Sequence, residues 1–187
     1  MFHRVGLMDI GNIFKVRMKK VLSLLSGTST YERGAIRFNP KELCDEWSLK
    51  LLLDRFPGSS ESSYYLYLIY FVEDNSSIHA AARSSFENYR KKNSQNKLSR
   101  FNANHPPSRN IYVGTSQDLR SRFRSHLGYG QGKSTWGLYL RHWASRIESE
   151  IQIDYFKFKT IPECDIALVE SVIWDSLRPM FGKKGGK

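Results

Sequence analysis

The sequence predicts a mixed α/β (α+β) fold, because segments with strand character are separated by segments with helical spacing. Strand character is found in three segments, at 64–72, 110–113 and 151–159. Helical spacing of apolar residues is found in three others, at 78–92, 119–127 and 165–177. Strands and helices that alternate along one chain are typical of mixed folds.

The three predicted strands carry different signals. Segment 64–72 is an almost continuous apolar and aromatic run, which predicts a buried strand. Segment 151–159 alternates apolar and polar residues, as a half-buried strand does. Segment 110–113 is short and ends at Gly114, after which Ser116 or Asp118 can cap the next helix.

Residues 1–62 are predicted to form an N-terminal helical appendage to a main domain at 63–187. Apolar residues near helical spacing predict a helix at 10–25. A second helix is predicted at 40–54, which begins with proline. We expect this second helix to bury one face, formed by Leu43, Trp47 and Leu51.

The composition argues against several classes of protein. The hydrophobic content of 40% argues against a disordered chain. The longest apolar run, 64–72, is too short to span a bilayer, and we recognise no signal peptide. Cys44 and Cys164 lie far apart in the sequence and belong to no metal-binding motif. We therefore expect a reduced, cytoplasmic protein with no membrane partner.

The positive charge is concentrated in one part of the chain. Residues 83–146 contain 13 Lys and Arg against the acids Glu87 and Asp118, which accounts for the whole net charge of +11. Aromatic residues are interleaved with these cations. This pattern favours a polyanionic partner, most often nucleic acid, over a merely solvated basic surface.

Arg122 and His126 are the first candidate site residues. They lie four residues apart on the predicted helix 119–127, at the edge of its buried stripe. An arginine held at the margin of a core can bind a phosphate through two N–H groups. In the competing interpretation, Arg122 only covers the core and His126 is an ordinary half-buried histidine.

Glu170 is the next candidate, because it occurs in the predicted helix 165–177 where an apolar residue would be expected. A carboxylate in such a place needs a partner. That partner is either a Lys or Arg side chain or a divalent metal, and Mg²⁺ is bound by one or two carboxylates together with water and substrate phosphate.

Tyr70 and Tyr112 lie near the ends of two predicted strands. Core packing is the ordinary role of a strand tyrosine. Neighbouring cations would lower the pKa of a phenol, which would allow it to act as a base or to orient water.

The order of these residues resembles the GIY-YIG nuclease family. The first motif reads Leu68-Ile69-Tyr70 and the second reads Tyr112-Val113-Gly114, followed by Arg122, His126 and Glu170. The resemblance covers about residues 64–185, and its specific part is the stretch from the second motif to His126.

The resemblance implies a central three-stranded antiparallel sheet flanked by helices, and hydrolysis of phosphodiesters with Mg²⁺ or another divalent cation such as Mn²⁺. Glu170 would hold the metal and Arg122 would bind the scissile phosphate. Tyr112 or Tyr70 would activate or position the attacking water. His126 would support proton transfer or bind phosphate. We expect these five side chains to converge on one concave basic surface.

Several positions depart from the family pattern. Leu68 stands where the first motif begins with glycine, and Tyr65 and Tyr67 are rivals of Tyr70 on the opposite face of the strand. Residues 73–109 form a long insertion between the first two strands. The family asparagine near the domain end is replaced by Gly182, and Lys183 and Lys184 are candidates for its role.

The sequence therefore predicts a metal-dependent DNA endonuclease, of restriction or defence type, whose insertion contacts duplex DNA and reads bases. Smaller restriction enzymes of this family often dimerise, so a homodimer is a candidate assembly. The alternatives are a non-catalytic nucleic-acid-binding protein on the same fold, an RNase-type toxin and a basic assembly protein.

Overall fold

A computed structural model describes residues 31–59, 63–129, 136–159 and 161–185. Its centre is a four-stranded antiparallel sheet with the strand order β1-β4-β2-β3. The strands are β1 (Tyr31–Phe38), β2 (Tyr64–Phe71), β3 (Asn110–Ser116) and β4 (Ile151–Phe158). The α+β class is confirmed, whereas the expected number of three strands is wrong.

The fourth strand is β1, which lies within the segment that the sequence analysis assigned to a helical appendage. It pairs along its whole length with β4, from Tyr31 opposite Phe158 to Phe38 opposite Ile151. Only its last residues, Ile36 and Phe38, are buried apolar positions. The sequence did not predict this strand because an edge strand buries few side chains, so its residues do not alternate clearly between apolar and polar. The helix predicted at 10–25 lies outside the described residues.

Within the described residues, four α-helices accompany the sheet: α1 (Glu46–Asp54), α2 (Ser76–Lys92), α3 (Leu119–Leu127) and α4 (Glu163–Leu177). Short 3-10 helices occur at Pro40–Cys44, Leu140–His142 and Ala144–Arg146. Within the described residues, none of the helices is both long and apolar enough to cross a membrane.

The helix predicted at 40–54 is two helices, and its predicted buried face is confirmed for Leu43 but wrong for Trp47 and Leu51. Trp47 and Leu51 are 65% and 51% exposed, whereas Leu49 and Leu52 are buried. The Asp45 side chain accepts a hydrogen bond from the Ser48 amide and starts α1 after the 3-10 turn. The break changes the helical phase, so a spacing counted from Leu43 points to the wrong face.

The sheet separates two layers of core because successive strand residues face opposite sides. On one side, Tyr65, Tyr67, Ile69 and Phe71 of β2 belong to the core cluster shared with α1, α2 and α3. On the other side, the alternate residues of β2 pack with the apolar face of α4.

The insertion 73–109 consists of α2 and a loop that is tied down at several points. Arg83 on α2 donates hydrogen bonds to loop carbonyls, including that of Ala103 at 2.9 Å. Asn102 donates through Nδ2 to the Pro179 carbonyl at 3.0 Å. Backbone bridges join Leu98 to Gly137 and Phe101 to Phe181. The insertion is therefore packed onto the domain.

Candidate active site

Helix α3 forms where the sequence predicts a helix, and its apolar face is the predicted one. Leu119, Phe123 and Leu127 form the buried stripe, and the Asp118 side chain accepts a hydrogen bond from the Ser121 amide at 2.9 Å. This cap satisfies one of the amides that a helix start leaves without a partner. Arg122 therefore lies in the first turn of a well-anchored helix.

The Arg122 guanidinium joins three parts of the chain. Its Nε donates to the Tyr67 hydroxyl at 2.8 Å and its Nη2 donates to the Tyr112 hydroxyl at 2.9 Å. Its Nη1 donates to the Trp136 carbonyl at 2.6 Å. Arginine carries five N–H donors, so one N–H on each terminal nitrogen has no acceptor among the described residues and remains for a ligand. Burial disfavours the charge, but the two tyrosine oxygens favour it and the net pKa of Arg122 is raised.

Tyr67 and His126 form the buried base of this network. Neither side chain is exposed to solvent, and the Tyr67 hydroxyl lies 2.9 Å from Nε2 of His126. Burial raises the pKa of Tyr67, although Arg122 acts in the opposite direction. Burial and the nearby Arg122 charge hold the pKa of His126 well below its usual range. Both rings are therefore neutral at physiological pH.

Two expectations for these residues change as a result. A phenol pKa lowered by nearby cations was expected for Tyr70 and Tyr112, but Tyr67, which takes the place of Tyr70 beside Arg122, has a raised pKa because loss of hydration outweighs the attraction to Arg122. His126 was expected to support proton transfer or to bind phosphate; it is completely buried, which excludes direct contact with phosphate, and it contacts the Tyr67 hydroxyl. A neutral, buried histidine in this place orients Tyr67.

Tyr70, the tyrosine chosen from the sequence, does not join the other candidates. It belongs to the core layer under α4, where its hydroxyl lies 3.4 Å from Oδ2 of the buried Asp154. The Arg109 guanidinium lies over its ring at 5.3 Å. Tyr70 and Tyr67 differ by an odd number of residues in β2, so they face opposite sides of the sheet. The rival Tyr67 occupies the position predicted for Tyr70.

Tyr112 is the tyrosine that reaches solvent. Its ring stacks on that of Tyr67 with centroids 6.0 Å apart, and 8% of its surface is exposed. Gly114 makes this pairing feasible, since a Cβ atom there would lie 2.6 Å from the Tyr67 hydroxyl oxygen. The glycine of the Tyr112-Val113-Gly114 motif therefore leaves room for a hydroxyl group.

Gly182 covers the other side of the Tyr112 ring. Its φ angle is +103°, and a Cβ atom would lie 2.7 Å from Cε2 of Tyr112. An asparagine with this backbone would therefore strain the chain and collide with the ring. Lys183, the next residue, is exposed and lines the cavity above Tyr112. Lys184 pairs with Asp175 instead.

Glu170 lies on the other side of the edge strand β3 from the Arg122 network. Its Oε2 accepts a hydrogen bond from Oγ1 of Thr115 at 2.6 Å, and the residue is only 9% exposed. Burial raises the pKa of Glu170, while the Thr115 hydrogen bond and the Arg122 charge partly offset that rise. Thr115 lies next to Gly114 in β3, so the carboxylate is a near neighbour of the tyrosine pair without lying on the same face of the sheet.

An open cavity of about 720 Å³ lies above Tyr112 and Arg122. Among the described residues, its lining contains no acid and four cations, which are Arg90, Arg100, Arg122 and Lys183. Among them, Arg90 and Arg100 come from the insertion. The cavity therefore suits an anion that can reach the two remaining N–H groups of Arg122.

Glu170 fits a metal site that relies on one carboxylate. Its Oε1 forms no hydrogen bond within the described residues, so it can bind a cation while Oε2 stays with Thr115. The part of the chain that the structure describes contains no group of three His, Cys, Asp or Glu side chains suited to a metal. Mg²⁺ can be bound by a single protein carboxylate, because water molecules and substrate phosphate supply its other ligands.

Comparisons of the chain with models of known protein families, with curated proteins and with solved structures found no match. The candidate site consequently rests on the geometry of this chain and on its motif resemblance.

Sequence reasoning missed Thr115 and Trp136 as parts of the site and gave Tyr67 second place. The register of β2 with β3 sets Tyr67 opposite Gly114, and that register is known only from the structure. No local pattern marks Thr115, whose role depends on the packing of α4 against β3.

Proposed function

We propose that the protein is a metal-dependent endonuclease that hydrolyses phosphodiester bonds in DNA. The observation that carries this proposal is Arg122, whose guanidinium is fixed by Tyr67 and Tyr112 and lines a cationic cavity. A fixed guanidinium stabilises charge that develops on a phosphate without having to reorganise during the reaction.

Each residue of the network has a role that follows from its burial. Arg122 binds the scissile phosphate. Tyr112, at the cavity, positions the attacking water or accepts its proton. Tyr67 and His126 are positioning residues, because neither is exposed to substrate. Glu170 holds the divalent cation. A bound Mg²⁺ or Mn²⁺ would supply charge for the phosphate and the leaving oxygen.

This reading keeps the resemblance to the GIY-YIG nucleases, with Tyr67 in place of Tyr70 as the tyrosine of the first motif. The segment Tyr65-Leu66-Tyr67 supplies that motif, although Tyr65 stands where the family has glycine. In support, Tyr67 and Tyr112 share one guanidinium. Sequence specificity, a restriction or defence role and homodimerisation remain predictions.

Plasmid cleavage in the presence of Mg²⁺ tests the proposal. Wild type should nick or linearise supercoiled DNA, and Glu170→Ala and Arg122→Ala should each lose about 10²-fold or more of the rate. Glu148→Ala, which removes an exposed carboxylate, is the matched control and should cut normally.

Two results would contradict the proposal. If wild type binds DNA but never cuts it with Mg²⁺ or Mn²⁺, the fold serves binding alone. If it cuts single-stranded RNA and leaves duplex DNA intact, the protein is an RNase and the substrate assignment is wrong.

A further inference from the structure

Trp136 is a large apolar side chain exposed at the rim of the candidate active site. It is 56% exposed and lines the cavity that contains Tyr112 and Arg122. It also lines a second cavity of about 340 Å³, together with Arg90 and Lys91 of α2. Trp136, Arg90 and Leu98 are common to both cavities, so the two form one groove that passes over the indole.

The backbone of Trp136 is held firmly although its side chain is exposed. Its carbonyl accepts the hydrogen bond from Nη1 of Arg122 at 2.6 Å. The next residue, Gly137, is bridged to the insertion, with the Ser99 amide donating to its carbonyl at 2.8 Å. A Cβ atom at Gly137 would lie 2.5 Å from the Ser125 carbonyl oxygen, so this segment lies directly against α3.

The charges along the groove are available to a ligand. Arg90, Arg100 and Lys183 are exposed, and their side chains have no hydrogen-bond or ion-pair partner within the described residues. The single acid in the groove, Glu87, is paired with Lys91 at 2.9 Å. Exposed cations in the same groove as an exposed aromatic ring are the features by which proteins hold an unstacked nucleotide strand.

We propose that Trp136 stacks on an unpaired base beside the scissile phosphate, with Arg90, Arg100 and Lys183 binding the adjoining phosphates. An indole can cover a base only when the face of that base is exposed, which excludes a base stacked within a regular duplex. The preferred substrate is thus DNA with an unpaired or extruded nucleotide at the cleavage position. This inference rests on the proposed function, since it places the strand relative to Arg122.

Binding without cleavage tests this subsite separately from the reaction. Full-length Glu170→Ala protein in EDTA is titrated into three labelled DNAs: a single strand, a regular duplex and the same duplex with one unpaired base. Adding Trp136→Ala should weaken binding to the single strand and to the interrupted duplex by about 5- to 100-fold. Binding to the regular duplex should change by less than about twofold.

Three controls make the result specific. Trp136→Phe keeps an aromatic face and should retain most of the affinity, which also guards against a variant that fails to fold. Trp47→Ala removes another exposed tryptophan, from α1, and should bind as the parent does. Inorganic polyphosphate carries charge but no bases, so its binding should not depend on Trp136.

Undiminished binding of the single strand by Trp136→Ala would overturn the inference. So would an equal loss for all three DNAs and polyphosphate, because such a loss reflects charge or folding and not stacking. If wild type fails to cut any DNA but the Trp136 effect is found, the proposed reaction fails and the stacking site stands. If wild type cuts and the effect is missing, only the stacking site fails.

Discussion

The side chains around Arg122 differ in burial and in hydrogen bonding, and these differences suit them to different roles. Two tyrosine oxygens accept its hydrogen bonds, but only Tyr112 lies at the cavity. The other tyrosine, Tyr67, is buried with a raised pKa and faces the equally buried His126. The outer tyrosine is therefore suited to chemistry, and the inner pair is suited to fixing the guanidinium.

The charged Glu170 side chain should lower the stability of the folded protein, although the proposed reaction requires it. The pKa of Glu170 is higher in the folded state than in the unfolded state. The folded state therefore binds a proton at this carboxylate more tightly than the unfolded state does. The charge of Glu170 therefore lowers the free energy of unfolding at neutral pH, and this loss is relieved as pH falls through the raised pKa. In EDTA, Glu170→Gln should have a higher melting temperature than wild type at pH 7.5, with the difference shrinking by pH 4.

The matched control for this measurement is Glu148→Gln, an exposed carboxylate, which should change stability by less than about 0.5 kcal/mol at either pH. Glu170→Gln should also be inactive in the cleavage assay. A variant that is less stable than wild type at pH 7.5 would show that the carboxylate is a structural anchor for Thr115.

Helix α3 connects the core to the candidate site at the scale of secondary structure. Its apolar stripe packs in the core, where Phe123 stacks on Phe56 with ring centroids 4.2 Å apart. The same helix carries Arg122 beside that stripe and the completely buried His126. Any change that loosens the first turn of α3 should therefore move the guanidinium.

Removing the cap of α3 tests this coupling. Asp118→Ala deletes the acceptor of the Ser121 amide and should cost about 1 kcal/mol of stability, measured by urea unfolding. Asp45→Ala deletes the equivalent cap of α1, which accepts from the Ser48 amide, and should cost about the same. Only Asp118→Ala should also lower the cleavage rate per folded molecule. Equal rates for the two variants would show that the α3 cap does not position Arg122.

At the scale of the whole molecule, the packing of the insertion determines where the cations of the basic segment lie. Residues 83–146 carry the entire net charge of the chain. Arg90 and Arg100 of the insertion line the same cavity as Arg122 and Lys183, although they are distant in sequence. Packing of the insertion against the segment after α4 brings these cations together, through bonds such as that from the Gly182 amide to the Arg100 carbonyl at 2.8 Å.

This arrangement predicts a steep salt dependence of DNA binding. A cation that contacts phosphate contributes about 0.9 to the slope of log affinity against log salt concentration. Arg100→Ala should reduce the slope for duplex DNA by about that amount, measured by anisotropy in EDTA. Lys159→Ala is the control, since Lys159 pairs with Glu32 at 2.6 Å and lies outside the basic segment. Equal slopes for the two variants would remove Arg100 from the interface.

The sequence by itself determined the mixed fold class, the approximate place of three strands and the basic segment, and it nominated Tyr112, Arg122 and His126, which belong to one hydrogen-bonded network. These features have local signals: periodicity, caps and charge. Tertiary structure alone decided the fourth strand, the exposure of Trp47 and Leu51, and the burial of His126. It also decided between Tyr67 and Tyr70, because strand parity separates two faces but only packing shows which face meets α3.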